Sequence, residues 1–356
     1  MEQVNDRSSK LVARWLLLGV FMTVIQVALG GITRLTGSGL SITEWDVITG
    51  ALPPLNEQAW LKEFDKYRAT PQFQLLNFEF TLADFKFIFF WEWFHRLWAR
   101  LIGLVFAGGF IWFIIRKHFK KEMIRPLVIL FILGALQGAV GWIMVASGLT
   151  GDAVYVKPTR LALHFIFALG LLCYTFWFAL KLLVRKEQFV VQPALRKTNI
   201  WLIGLLTIQL CYGALMAGHK AATVATDWPT INGDWVPDAL FRHKPFLLNF
   251  IDNKILIHFI HRGLAYLILV VIIIWTIQLA KQKGSLVFEN IKRVPLYLTS
   301  LQVLLGILTI LTSTGIVPGK WGTFEWMAQL HQLTGMCLLL SLVATLFVLR
   351  KSPTNN

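Results

Sequence analysis

Apolar residues run in eight stretches, near 15–33, 87–115, 126–147, 160–183, 198–217, 255–280, 294–313 and 326–349, with polar connections between them. A helix crosses a hydrocarbon core in about 20 residues, so the pattern predicts an all-α integral membrane protein of eight transmembrane helices. The polar residues left inside the stretches are ordered. Gln-x-x-x-Gly recurs in each odd-numbered stretch, as Gln26/Gly30, Gln137/Gly141, Gln209/Gly213 and Gln302/Gly306. Histidine recurs in each even-numbered one, as His95, His164, His261 and His331. Small residues let spans approach closely and a Gln bonds across helices, so the Gln-Gly motif reads either as packing or as ligand contact.

These positions repeat at a nearly fixed distance. His95 to His261 is 166 residues, His164 to His331 is 167 and Gln137 to Gln302 is 165, whereas Gln26 to Gln209 is 183. The agreement predicts two tandem, pseudo-symmetric four-helix bundles, residues 1–190 and 191–356, with about 17 extra residues in the first outer loop. With four spans each, both halves enter the membrane in the same direction, as parallel repeats do.

The outer connections, residues 34–87 and 218–254, are too long for plain turns. After Asn56, a candidate helix cap, Trp60, Phe64 and Tyr67 recur at helical spacing and predict a short amphipathic helix on the membrane surface. Thr81-Leu82-Ala83-Asp84 has the form of a capping box opening the second span. Trp228, Pro229, Gly233, Trp235 and Pro237 in the second loop suit a roof over a hydrophobic ligand or an interfacial aromatic belt.

Composition agrees with the pattern: 56% of the 356 residues are hydrophobic and the mean hydropathy is +0.61, which excludes an ordinary soluble domain. A net charge of +15 would suit nucleic acid, but its distribution does not. The N-terminal segment, the second, fourth and sixth connections and the C-terminal end hold 19 of the 34 basic residues against five acids. The remaining connections hold 15 basic residues against 14 acids. By the positive-inside rule both termini are expected in the cytoplasm. No nucleic-acid partner is expected. The first stretch runs into Gly30-Gly31-Ile32-Thr33-Arg34 without a small-residue cleavage site, and Glu2 and Asp6 argue against a transit peptide, so a bacterial inner membrane is the expected home. Cys173, Cys211 and Cys337 fall within spans, which leaves no outer-loop disulfide.

The chemistry concentrates in two motifs. Glu92, His95 and Arg96 stand at i, i+3 and i+4, and His258, His261 and Arg262 repeat that spacing. Ionisable side chains inside a span are costly and mark function. Two imidazoles facing each other across a bundle suit haem iron, with His95/His164 and His261/His331 as axial pairs. Copper or zinc fits less well, because zinc sites recruit three or four protein ligands. Arg96 and Arg262 suit either haem propionates, through bidentate geometry, or snorkelling to the headgroups. Glu92 has His258 as its counterpart, an asymmetry that two identical electron-transfer haems would not need. Glu92 reads as a base near the first haem, or as an ion-pair partner of Arg96 or Arg100.

Taken together these residues resemble the haem A synthase family, in its proteobacterial and mitochondrial branch, over essentially the whole chain. The likeness rests on Gly30-Gly31-Ile32-Thr33-Arg34-Leu35-Thr36 with Ser38-Gly39-Leu40-Ser41, and on Gly50-Ala51-Leu52-Pro53-Pro54-Leu55. Glu-x-x-His-Arg at 92–96, the Trp228-Pro229…Asn232-Gly233…Trp235…Pro237 loop and His261-Arg262 complete it. The resemblance implies an eight-span duplicated bundle that oxidises a methyl of haem O to the formyl of haem A for cytochrome oxidase biogenesis, with haem b as cofactor. It implies that His95 and His164 hold the substrate haem, His261 and His331 the haem b, and that Glu92 is the functional carboxylate. The cysteine pair of the family's Gram-positive branch is missing here. The expected partners are the bilayer, haem O, haem O synthase and an electron acceptor, with a homo-oligomer compatible, and the active site faces outward. Two other classes fit parts of the pattern: a di-haem transmembrane electron carrier, with one kind of haem in both halves, and a multi-pass haem exporter.

Overall fold

A computed structural model describes residues 7–44 and 51–351. Glu2, Asp6 and Gly50 lie outside the described residues. Among the described residues, eight helical segments are long and apolar enough to cross a membrane, the seventh running from Leu286 through to Leu311. Their long helices are α1 (Arg7–Leu35), α4 (Leu82–Ile115), α5 (Lys121–Ala146), α6 (Pro158–Leu183), α7 (Pro193–Gly218), α9 (Lys254–Ala280), α11 (Val294–Leu311) and α12 (Thr323–Val348). Short helices occupy the connections: α2 (Glu57–Arg68), α3 (Pro71–Leu76), α8 (Asn249–Asp252) and α10 (Leu286–Ile291).

Four of the long helices, α1, α6, α7 and α12, pack on one another at the centre, and the other four flank them, α4 on α1, α5 on α6, α9 on α7 and α11 on α12. The central core joins Val20, Val27, Leu172, Leu202, Leu206, Ile272, Met336 and Leu342. Lipid tails are as apolar as leucine, so burial in water does not hold such helices together; close packing and interhelical hydrogen bonds do. The contact of α12 with α1 uses both. Gln329 donates to the Ala28 carbonyl at 2.9 Å and Gln332 to the Val27 carbonyl at 3.0 Å. Gly31 lies so close to the Gln329 and Gln332 amides that a β-carbon there would collide with them. At the far end, β1 (Val190–Val191) pairs in parallel with β2 (Leu349–Arg350), and Arg196 donates to the Leu346 and Leu349 carbonyls. The segment between the two halves is thereby tied to the end of α12.

The local signals in the first long loop behave as their chemistry predicts. The Asn56 side chain accepts from the Ala59 N–H at 2.8 Å and starts α2. Thr81 and Asp84 form the reciprocal capping box that starts α4. At 34 residues, α4 is about 51 Å long at 1.5 Å per residue, well beyond a hydrocarbon core of about 30 Å. Its outer turns receive the apolar face of α2: Phe64 and Tyr67 pack with Phe85, Ile88 and Phe89, and Trp60 meets Phe89 edge-on at 5.0 Å. The amphipathic face predicted for residues 57–68 is therefore taken up by the protein's own second span.

Gly31→Val is expected to open the α1–α12 seam, since overpacking costs about 1–3 kcal/mol. A lower thermal midpoint in detergent, followed by tryptophan fluorescence, measures it; an unchanged midpoint removes the seam from the stability of the bundle.

Candidate functional site

Each histidine is served by the span that precedes it, and the service has the same two parts every time. The glycine of Gln-x-x-x-Gly gives the imidazole room against the helix backbone. A β-carbon built on Gly30 would sit 3.3 Å from the His95 ring, on Gly141 2.9 Å from His164, on Gly213 3.3 Å from His261 and on Gly306 2.9 Å from His331. One turn earlier, on the same helical face, the glutamine amide reaches the same residue. Gln26 Nε2 donates to the His95 carbonyl at 3.2 Å, and Gln137 Nε2 lies 3.2 Å from both the His164 carbonyl and its Nδ1. Gln209 Nε2 and Gln302 Nε2 lie 3.4 Å from Nε2 of His261 and His331. The packing and ligand readings of the motif meet here: the small residue packs, and what it packs against is the candidate ligand.

The four histidines, the four glutamines, Glu92, Arg96 and Arg262 line one cavity of about 1020 Å³. That is at the upper end of the range of about 300–1,000 Å³ found for small-molecule sites. The His261 and His331 rings stand 6.2 Å apart, centre to centre, with planes at 75°. Two metal–imidazole bonds of about 2 Å, plus about 1 Å from each nitrogen to its ring centre, require roughly the same separation. His331 Nδ1 donates to the Gln302 carbonyl at 3.0 Å, the kind of contact that fixes a ligand's tautomer and leaves Nε2 to coordinate. In all four glutamines the amide oxygen is buried without a hydrogen-bond partner. Natural proteins rarely leave such acceptors unpaired, so their recurrence around one cavity marks it as a place for a ligand. Among the described residues no group of three or more His, Cys, Asp or Glu is arranged to hold a metal ion, so the zinc reading finds no ligand set. The residues present fit a porphyrin iron held between paired imidazoles.

Beside the cavity, the motif residues hold the long loops. Glu92, 2% exposed, accepts from Arg96 at 2.6 Å, from the Ser41 hydroxyl at 2.8 Å and from the Ile42 N–H at 2.9 Å. Arg96 also donates to the Ile42 and Glu44 carbonyls. Arg262 donates to the Ala225, Asp227 and Thr230 carbonyls. Ile42 to Ala225 and Glu44 to Asp227 are both 183 residues, the same distance as Gln26 to Gln209. The correspondence of the long loops thus runs to residue 44, and the extra residues of the first loop follow it. Gly37 and Lys220, again 183 apart, both have left-handed backbones, with φ of +70° and +50°. His258, fully buried, donates from Nε2 to the Ala221 carbonyl at 2.7 Å. Glu92 and His258 therefore anchor the same kind of loop through opposite groups, one accepting from N–H and one donating to C=O.

Loop carbonyls were not among the partners that the spacing of Arg96 and Arg262 suggests, and sequence alone offers no signal for them. In the second loop, Asp227 gathers Thr230 Oγ1 at 2.6 Å and the N–H groups of Asn232 and Gly233 at 2.8 and 2.9 Å. Partial burial raises its pKa, but the hydrogen bonds from Thr230, Gly233 and Asn232 outweigh that and hold the carboxyl well below the usual range. Trp228 donates to the Tyr266 hydroxyl at 2.9 Å and lines the cavity, whereas Trp235 is largely exposed. Of the two tryptophans predicted as a roof, Trp228 lies over the site.

A family model described as cytochrome oxidase assembly protein matches residues 13–343. The haem A synthase of Flavobacterium psychrophilum is 38% identical over 349 residues, which cover 96% of this chain and 98% of that protein. The haem A synthase of Novosphingobium aromaticivorans is 42% identical over 338 residues, covering 92% and 91%. That of Paracoccus denitrificans is 40% identical over 303 residues, covering 83% and 79%.

Gly306→Val should drive the His331 ring from its seat, and pyridine haemochrome assay of the purified chain should find about tenfold less haem at that pair, the scale of a disturbed ligand environment. Gly263→Val, whose β-carbon meets nothing within 4 Å, serves as control and should keep its haem. Equal haem in both chains would sink the glycine-seat account. Acidification supplies a second check. A depressed folded pKa contributes stability above the unfolded value, about 3.9, so the Asp227 loop should hold at neutral pH and loosen as pH falls below about 4. Protease cleavage within residues 225–235 should then rise in the wild type, and Asp227→Asn should show the open pattern already at pH 7.

Proposed function

We propose, from the premise that this chain belongs to the cytochrome oxidase assembly protein family, that it is a haem A synthase: a multi-pass membrane oxidoreductase that converts one methyl of haem O to the formyl of haem A. The observation that carries the reading is the quartet of histidines, each seated on a glycine and a glutamine, around one cavity. The conversion takes two successive two-electron oxidations of a single carbon, through the alcohol to a hydrated aldehyde that loses water, each step taking one oxygen from water and passing two electrons and two protons to solvent and an external electron acceptor. The substrate must be held in one orientation throughout.

In this reading residues 1–190 form the substrate half and residues 191–356 the cofactor half. His95 and His164 bind the iron of haem O, and their fixed rings orient the macrocycle. His261 and His331 bind a haem b, which when bound supplies one-electron redox chemistry. Arg96 and Arg262, both on the cavity wall, are assigned to the two haem edges. Glu92 is the residue assigned to the reaction. It stands one helical turn from His95, with its charge already organised by Arg96, Ser41 and the Ile42 N–H. A carboxylate so fixed accepts a proton, or stabilises positive charge developing at the methyl, without reorganising during the step. His258 at the corresponding place favours a single reaction half over a carrier with two equal haems. Both termini are assigned to the cytoplasm and the cavity mouth to the outer face of a bacterial inner membrane, where an electron acceptor and haem O synthase are the natural partners.

Glu92→Gln is expected to lower haem A in extracted pigments about a hundredfold or more, the usual worth of a positioned proton acceptor, with the half containing His261 and His331 still carrying haem. Mass analysis of haems from membranes expressing the variant decides it. Undiminished haem A would remove Glu92 from the chemistry.

A further inference from the structure

The two halves differ in how their flanking helices close the cavity. In the second half α9 and α11 pack against each other, whereas the corresponding pair in the first half, α4 and α5, do not pack side by side. These two are also the least buried of the eight spans. The residues along the opening are small. Gly103 on α4 and Gly134 and Gly138 on α5 all line the cavity that holds His95 and His164, and a β-carbon on any of them would meet nothing within 4 Å. At the repeat distances of 166 and 165 residues, the second half carries Leu269, Thr299 and Val303 in their places. Thr299 is 2% exposed.

The depth of the opening is informative. Gly134 precedes Gly141, the seat of His164, by seven residues, and Gly103 follows His95 by eight, about 10–12 Å along each helix. The gap therefore lies nearer the middle of the bilayer than the candidate iron ligands do. At that depth the surroundings are acyl chains, which accept an alkyl tail and exclude a polar group.

We propose that the α4–α5 gap is a lateral portal through which a porphyrin bearing a long isoprenoid tail passes between the bilayer and the first-half cavity. This rests on reading the first half as the haem O site. A substrate must enter and its product leave, and both carry the farnesyl tail, so the half that turns over needs a side opening at tail depth. A resident haem needs no such opening, and the second half is closed where the first is open. The glycines leave a slot that the tail crosses on its way in and out, while binding itself rests on the histidines.

The test transplants the second-half residues. A Gly103→Leu/Gly134→Thr/Gly138→Val chain, purified in detergent or nanodiscs with its second-half haem in place, is mixed with phosphatidylcholine vesicles carrying haem O, and the rate and final extent of uptake are read by absorbance. Uptake about tenfold slower or more, at an unchanged final extent, is the expected result for a narrowed gate. Gly108→Leu is the control: its β-carbon also meets open space, but Gly108 does not line the cavity, and its uptake should match the wild type. Uptake at the wild-type rate in the filled chain overturns the portal. Loss of final binding together with rate places the glycines in the bound ligand's seat rather than in its path and overturns the portal as well. If the triple chain loses its second-half haem and so its fold, Gly138→Val alone is read in the same way. The reciprocal chain, Leu269→Gly/Thr299→Gly/Val303→Gly, should release its resident haem to apomyoglobin faster than wild type; an unchanged release rate counts against the portal. Failure of the site assignment reads differently: a His95→Ala chain that binds haem O normally would remove the substrate site and the portal's cargo with it, whereas a wild-type uptake rate in the filled chain removes the portal alone.

Discussion

A polar atom placed in hydrocarbon must find its partner within the protein, because neither water nor lipid supplies one. Four imidazoles inside a membrane bundle are under that constraint, and the bundle seats all four with the same device. A glycine lets the ring lie on the neighbouring helix, and a glutamine one turn away reaches the ring or its carbonyl. The two halves of the device act on different parts of the histidine: the glycine makes room for the ring, and the glutamine holds the ring nitrogen or the residue's carbonyl. The amide oxygens left over, all four of them buried, point to a site completed by something other than protein.

The same constraint shapes the two long loops. Main-chain carbonyls at the membrane boundary are expensive to leave unpaired, and a guanidinium with its five donors satisfies several at once. Arg96 and Arg262 do this at corresponding loop positions, and the loops are in turn what roofs the cavity. Glu92 belongs to the roof and to the cavity wall alike. A substitution there acts on both, which is why the haem content of the other half is the needed internal control for any change at this position.

Much of the architecture was legible because membrane sequences are written in long words. The eight spans, the Asn56 cap and the Thr81–Asp84 capping box all follow from patterns of three to thirty neighbouring residues. The partnership of odd span with even span was half visible: Gln-x-x-x-Gly and histidine alternate along the chain, but nothing in the spacing says that Gly141 faces His164 rather than His95. Helix azimuth is set by packing against every neighbour at once, and a single-residue period carries little of it. The loop clasps were invisible for a different reason. A carbonyl belongs to every residue, so Ile42 and Ala225 carry no mark of being bound, and only the equal distance of 183 residues between them betrays the correspondence once the contacts are known. The amphipathic face of α2 was visible, but what covers it was not, because apolar periodicity is the same whether lipid or α4 lies opposite.

On the proposed reading, one repeated frame serves two kinds of occupant. Paired histidines, glycine seats and loop clasps are common to both sets of spans, so they would not distinguish a molecule that stays from one that leaves. Whatever separates the two must lie where the sets differ, and two differences coincide in the first: a carboxylate at the mouth and missing side chains along one flank. A closed flank raises the barrier to exit by requiring two packed helices to part. An open one lets the alkyl tail exchange lipid neighbours for protein neighbours at little cost, since both are hydrocarbon. On that reading, the hard part of transfer would then be confined to the iron and the polar macrocycle edge.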